Sequence, residues 1–205
     1  MSSDFLEFLV EEPSMERFLR VVLPKILPDG VSFDIHAFQG KGDLLDKLEN
    51  RLRGYAAWLP ESMRIFVCVD RDDDDCIELK KRLEGIASRA GLVSRSSATG
   101  RPWQVVNRIV IEELEAWYFG EWPAVVDAYP RVCSTIPRKD SYRNPDAIKG
   151  GTWEALERIL QKHGYFRAGL GKMTAAQDIA AGFNPLKCSS YSFRVFLDAI
   201  QEAVA

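Results

Sequence analysis

The sequence predicts an α/β fold: a mainly parallel, Rossmann-like sheet flanked by helices, with a C-terminal helical annex. Three observations predict it. Short apolar runs alternate with amphipathic helical segments in a βαβαβα rhythm over the first 120 residues. Two of those runs, FLEFLV at 5–10 and RIFVCV at 64–69, read as buried strands. Beyond residue 120 the rhythm gives way to Pro123, Pro130, Pro137 and Pro145, to Gly150 and Gly151, and then to three helical segments.

Taken in order, FLEFLV is the first strand. Pro13 stands where a first helical turn tolerates proline, and the helix runs on through residues 14–27. VSFDIHAF at 31–38 alternates apolar and polar residues with the period of a half-buried strand. Leu44, Leu45, Leu48, Leu52 and Tyr55 recur at helical spacing within residues 40–59. RIFVCV follows as a continuous strand, and residues 73–90 form a helix with Ile77, Leu83 and Ile86 on one side. VVNRIVI at 105–111 is a fourth strand, and EELEAWYF opens a helix. The helices after 120 are WEALERILQKHG, MTAAQDIAAGF and SFRVFLDAIQEAV. Right-handed crossovers follow by rule for such a sheet. The division into an α/β domain at 1–120 and a helical extension at 121–205 is soft, because the later helices can pack directly on the sheet.

Composition narrows the function classes. The 205 residues, 46% apolar, can fill one core. No apolar stretch approaches the ~20 residues of a membrane helix, and MSSDFLEFLVEE lacks the basic start of a signal peptide. Cys68, Cys76, Cys133 and Cys188 show no CxxC spacing, which fits reduced thiols in a cytoplasm. With only His36 and His163, a histidine-based metal site or a Ser-His-Asp triad is a weak expectation. The net charge of −3 hides a segregation: residues 1–84 hold 18 acidic and 12 basic side chains, whereas 85–108 hold Arg89, Arg95, Arg101 and Arg108 and no acid. Basic surface beside an acidic centre suits a polyanionic substrate held through a metal; ordinary solvated surface explains the charges equally well.

The acids themselves are placed more tellingly. Glu11 and Glu12 follow the first strand, Asp70 and Asp72 the third, Glu112 and Glu113 the fourth. If these strands are parallel neighbours, the carboxylates converge at the carboxyl edge, where open α/β sheets bind ligands. Such a cluster repels itself unless a divalent cation neutralises it, and oxygen-only donors favour Mg²⁺ or Mn²⁺. Asp70 and Asp72, two apart in an extended chain, would point the same way. Asp73, Asp74 and Asp75 are read instead as helix caps. Sequence does not choose between Glu112 and Glu113, and Glu115 is taken as helix surface.

Two look-alikes fail. Residues 70–81 put Asp75 where an EF-hand needs glycine and Lys81 where it needs glutamate. QGKGD at 39–43 lacks P-loop spacing, which leaves Lys41 as a phosphate contact or simply part of a flexible turn. Trp103, Trp117, Trp122 and Tyr142 could stack on bases, but packing is the expectation for them.

A glutamate closing the first strand, an Asp-x-Asp after a later strand and a further acid resemble the Toprim domain of topoisomerases, primases and OLD-type nucleases. More closely, LVEEPSMERFL, FQGKGDLLDKL, FVCVDRDDDDC and RIVIEELEAWYF, with GLGKMTAAQDIA and YSFRVFLDAI, resemble the Toprim-like domain-of-unknown-function family 4276 of prokaryotes, over nearly the whole chain. The resemblance implies a Toprim-like fold, a Mg²⁺-dependent site and phosphodiester chemistry. By position it implies Glu11, Asp70, Asp72 and Glu113 as metal ligands and Lys172 as a stabiliser of developing negative charge. The sequence departs from the family pattern where Glu12 replaces a glycine and Met15 an acid; Glu12 and Glu16 are the acids near enough to compensate.

The function expected is therefore a metal-dependent nuclease acting on DNA or RNA. Its catalytic residues would be Glu11, Asp70, Asp72 and Lys172, and Lys41, Arg101, Arg138 and Lys139 would hold the nucleic acid. A place in prokaryotic phage defence, beside a protein partner encoded nearby, accompanies this reading. Two alternatives stand: a Toprim-like module that binds metal or nucleic acid without cutting, and a hydrolase or transferase of small nucleotides.

Overall fold

The computed structural model describes residues 2–100 and 102–205. Four parallel strands, β1 (Phe5–Val10), β2 (Ser32–Ala37), β3 (Met63–Asp70) and β4 (Val105–Val110), form one sheet in the order β2-β1-β3-β4. The helices between them are α1 (Pro13–Val22), α2 (Lys41–Ala56) and α3 (Cys76–Arg89). The chain steps one way from β1 to β2 and the other way from β2 to β3 and β4. Right-handed crossovers in opposite directions must lie on opposite faces. Accordingly α1 shares one core cluster with Leu6, Phe8 and Val10, whereas α2 and α3 share the other with Leu9, Ile65, Val67 and Val69.

α1 alone leaves the β3 and β4 side of its face uncovered. Of the later helices, α4 (Glu115–Gly120), α5 (Trp122–Ala128), α6 (Thr152–Lys162), α7 (Lys172–Gly182) and α8 (Tyr191–Val204), α8 packs against β4, α7 against α1, α5 against α7 and α6 against α4. Phe196 of α8 packs on Phe8 and Phe66 of the sheet, and Phe18 of α1 meets Trp117, Tyr118 and Phe183. Residues on both sides of position 120 thus share one core cluster. Trp103, Trp117 and Trp122 are buried in it, and Tyr142 stacks on Phe119, so these aromatics pack rather than present free faces. No helix among the described residues is long and apolar enough to cross a membrane, and all four cysteines are free.

Two local expectations need correction. Ile77 is 74% exposed; the buried side of α3 is Leu79, Leu83, Ile86 and Ala87. The start of α3 is set by Asp75, which alone of the three candidate caps accepts from the α3 amides, those of Ile77 and Glu78 at 2.9 and 3.0 Å. Met15 is buried in the core, and Glu12 has the extended φ of −133°, which demands no glycine.

One long-range clamp carries a prediction. Lys25, just beyond α1, donates from Nζ to the carbonyls of Ala180, Ala181 and Phe183 at 2.8, 2.8 and 3.0 Å, closing the carboxyl end of α7. Lys25→Met is expected to cost about 1–2 kcal/mol, the scale of lost charge-assisted bonds. A lowered urea midpoint with unchanged m-value checks it.

Candidate functional site at the carboxyl edge of the sheet

In this strand order the switch point lies between β1 and β3, and that is where open α/β sheets present their binding crevice. Glu11 follows β1 and Asp70 ends β3. They meet: the Asp70 amide donates to Glu11 Oε2 at 3.0 Å. Glu11 is only 7% exposed, and burial, with Asp72 and Glu12 beside it, pushes its carboxyl up to about 7 despite the Asp70 hydrogen bond and the nearby Lys41. Asp70 is pushed well above the ordinary carboxylate range by burial and then by Glu11, Glu115, Asp72 and Glu12.

Glu115 is the residue that sequence reasoning missed. Taken as helix surface, it is 3% exposed and opens a helix buried along its whole length. Burial raises its carboxyl to about 7, against the pull of Lys172 and with a push from Glu113. A signal existed. The residues after it, AWYFG, are apolar on every side, and a helix apolar all round is a buried one. Tyr118, one turn on, is fully buried, and its hydroxyl has no partner among the described residues. Burial raises the Tyr118 phenol strongly, with Glu115 and Asp70 adding to the effect.

Asp72 does not continue the strand. Its φ of +48° turns it into the left-handed region, so the two-residue spacing does not align it with Asp70. Its carboxylate pairs with Lys41 Nζ at 2.7 Å, while the same ammonium holds Asp74 at 2.8 Å and the Arg71 carbonyl at 3.0 Å. Lys41, the first residue of α2, is thus a tether between two edge loops rather than a flexible turn residue. Glu112 pairs with Arg71. Glu113 caps α6, its Oε2 accepting from Thr152 N, Thr152 Oγ1 and Trp153 N at 3.0, 2.9 and 3.0 Å.

Lys172, at the start of α7, lies over the Trp153 ring at 5.3 Å and 3.7 Å from Glu12 Oε2. Burial works against its charge, but Glu115, Glu12, Glu113 and Asp70 outweigh it and hold the ammonium above its ordinary range. Glu16 instead pairs with Arg20 along α1, away from this cluster. Arg138 and Lys139 are exposed at the end of a short turn and form no ion pair among the described residues. Arg101 lies outside the described residues.

The donor chemistry of this carboxylate group suits an oxygen-ligated divalent cation. The Asp70 side chain and Glu11 Oε1 accept no hydrogen bond among the described residues, and Glu115 meets only its own backbone amide, so lone pairs remain free in a mutually repelling group. The side chains as they stand do not complete a cage: no three Asp, Glu, His or Cys residues among those described are gathered closely enough to hold an ion. Asp72 and Glu113 would have to leave Lys41 and α6 to join one.

The fold and site define a class: an all-parallel α/β protein with a group of carboxylates beside its switch point. Residues 10–201 match the family model described as "Domain of unknown function (DUF4276)", and the chain belongs to that family. No curated protein matches it, and no solved structure does.

Proposed function

We propose that this chain is a metal-dependent phosphodiester hydrolase of the Toprim type, acting on DNA or RNA in the cytoplasm. The single observation that supports this most is the meeting of Glu11 and Asp70 at the switch point, within a group of carboxylates whose pKa values burial and mutual repulsion raise. Glu11, Asp70 and Glu115 would hold Mg²⁺ or Mn²⁺, with Asp72 and Glu113 joining if released from their present partners. When bound, such a cation polarises a phosphate oxygen and assists attack by water.

The remaining steps belong to the chain. Glu11, with a carboxyl near 7, is suited to carry a proton to or from the reacting oxygens at neutral pH. Lys172 stays charged beside Asp70 and Glu115 and is placed to meet negative charge that develops on the phosphate. Trp153 beneath its ammonium restricts where that charge can go. Lys41 holds Asp72 and Asp74, and so fixes the loop after β3 against α2. Arg138 and Lys139 offer exposed charge to a phosphate backbone, giving affinity that falls with salt.

A second reading, a module that binds nucleic acid without cutting it, is favoured by one observation. Two lysines already compensate acids of this edge, and among the described residues no three acids are gathered as they stand. Incubation with plasmid, single-stranded DNA and RNA in Mg²⁺ and in Mn²⁺ separates the two. Cleavage that needs the metal is the expected result. Salt-dependent binding with no product under either ion would select the binding module.

A further inference from the structure

The arginines before β4 have mostly found partners: Arg89 pairs with Glu49 and Arg95 with Glu202. Arg108 has not. It stands in the middle of β4, in register with Cys68, on an edge strand of the sheet. Its guanidinium makes no hydrogen bond among the described residues, and Nε and Nη2 are buried without an acceptor. Folded proteins rarely leave such a group unpaired, because its lost hydration is returned by nothing.

The surroundings sharpen the anomaly. Lys80 and Arg95 line the same cavity of about 320 Å³ as Arg108, with Ser96 and Glu202. Burial lowers Arg108 below its ordinary range and the Arg95 charge adds to that; burial likewise lowers Lys80, with Arg108 and Arg95 contributing. Glu202 and Glu84 offset this for Arg108 only in part and without touching it, since each is committed to other donors. Glu202 accepts from Arg95 Nε at 2.8 Å and Trp103 Nε1 at 2.7 Å, and Glu84 from Asn107 Nδ2 at 3.0 Å while pairing with Lys80 at 2.8 Å. Neither forms an ion pair with Arg108. Three cations thus share two carboxylates, and Arg108 is the one left without an anion.

We propose that this cavity binds a phosphate-type oxyanion, with Arg108 as the principal donor and Lys80 and Arg95 at its rim. A planar guanidinium meets two phosphate oxygens at once, and the cavity has room for the group. The phosphate comes either from a nucleic-acid backbone or from a small phosphorylated molecule. The site stands apart from the carboxylate group and does not depend on the hydrolase reading.

The test is thermal unfolding of wild type and Arg108→Met in inorganic phosphate against chloride of equal ionic strength, with chelator present so that no divalent ion takes part. Phosphate is expected to raise the wild-type midpoint and leave Arg108→Met unmoved. In chloride the variant is expected to be at least as stable as wild type, because the unpaired charge is gone. Binding of a single-stranded oligonucleotide, again with chelator, tells the sources apart. Weakening by about tenfold or more in the variant, the scale of one charged contact, assigns the phosphate to a backbone; unchanged oligonucleotide binding assigns it to a small molecule. An equal phosphate response in wild type and Arg108→Met overturns the proposal. If Arg108→Met does not fold, Lys80→Gln carries the same comparison, with a smaller phosphate response expected and an undiminished one overturning the site.

Discussion

Asp70→Asn is expected to abolish metal-dependent cleavage and, in the same preparation, to raise the melting temperature of the metal-free protein. The two effects share one cause. Ionised Asp70 is opposed first by burial and then by Glu11, Glu115, Asp72 and Glu12. The amide has the same shape and none of that charge, and the backbone N–H that Glu11 accepts from is retained. Removing the repulsion stabilises the fold; a gain on the order of 1 kcal/mol would move the midpoint by roughly 2–4 °C in a chain of this size. Removing the carboxylate also removes an anionic oxygen from the place where a divalent cation would sit. Cleavage is expected to fall by about 100-fold or more, the scale of a lost electrostatic contact to a transition state. Mg²⁺, which should raise the wild-type midpoint, should no longer do so. Plasmid nicking and differential scanning fluorimetry, each with Mg²⁺ and with chelator, read both effects. Undiminished cleavage would remove Asp70 from the reaction. A lowered metal-free midpoint would show that its carboxylate is satisfied in a way the geometry does not provide.

Why Glu11 and Asp70 were legible in the sequence, and Asp72 and Glu115 were not, follows from the range of the forces involved. A parallel βαβ rhythm implies that strand ends share one edge, so acids directly after two strands converge whatever the loops do. Asp72 depends on a single backbone angle, and its positive φ is stabilised by contacts distant in sequence. The Asp72 amide donates to Glu112 O at 3.0 Å, and its carboxylate is drawn to Lys41. Nothing within a few residues of Asp72 encodes either partner. Glu113 is similar: the helix it caps begins 39 residues later. Glu115 differs, since the apolar run after it was available and only the assumption that an acid belongs outside concealed it. Ile77 was misplaced for a local reason. At about 100° per residue it stands roughly 180° around α3 from Ile86, so its own spacing sets it off the buried stripe, and three consecutive aspartates leave the helix start ambiguous. Only the amides of Ile77 and Glu78 select Asp75 as the cap.

The electrostatic strain in the carboxylate group also fixes how stability should vary with pH. Glu11 and Glu115 each have an ordinary pKa of 4.5 and titrate near 7 in the fold. Between those values the folded chain keeps protons that the unfolded chain has released, so stability falls as pH rises. The loss begins near pH 4.5 and is complete just above 7. Each group costs about 1.4 kcal/mol for every pH unit crossed in that window, roughly 3 kcal/mol for each of the two. Asp70, raised for the same reasons, adds to it in the same direction. Glu84 acts oppositely. Hydrogen bonds from Asn107 and Lys80 overcome burial and hold it near 2, so its contribution is present above 4.5 and lost as pH falls toward 2. The metal-free protein should therefore be most stable near pH 5, below neutrality. Urea midpoints measured with chelator across pH 3–9 are expected to trace that maximum. Glu115→Gln should flatten the limb between 4.5 and 7, since the amide does not titrate, and should leave the limb below 4.5 unchanged. Mg²⁺ should recover stability chiefly above pH 7, where the carboxylates are ionised and able to bind it. A midpoint that rises steadily from pH 5 to 8 in chelator would mean that these carboxyls are already ionised and compensated within the fold, and they would then have no unmet demand for a cation.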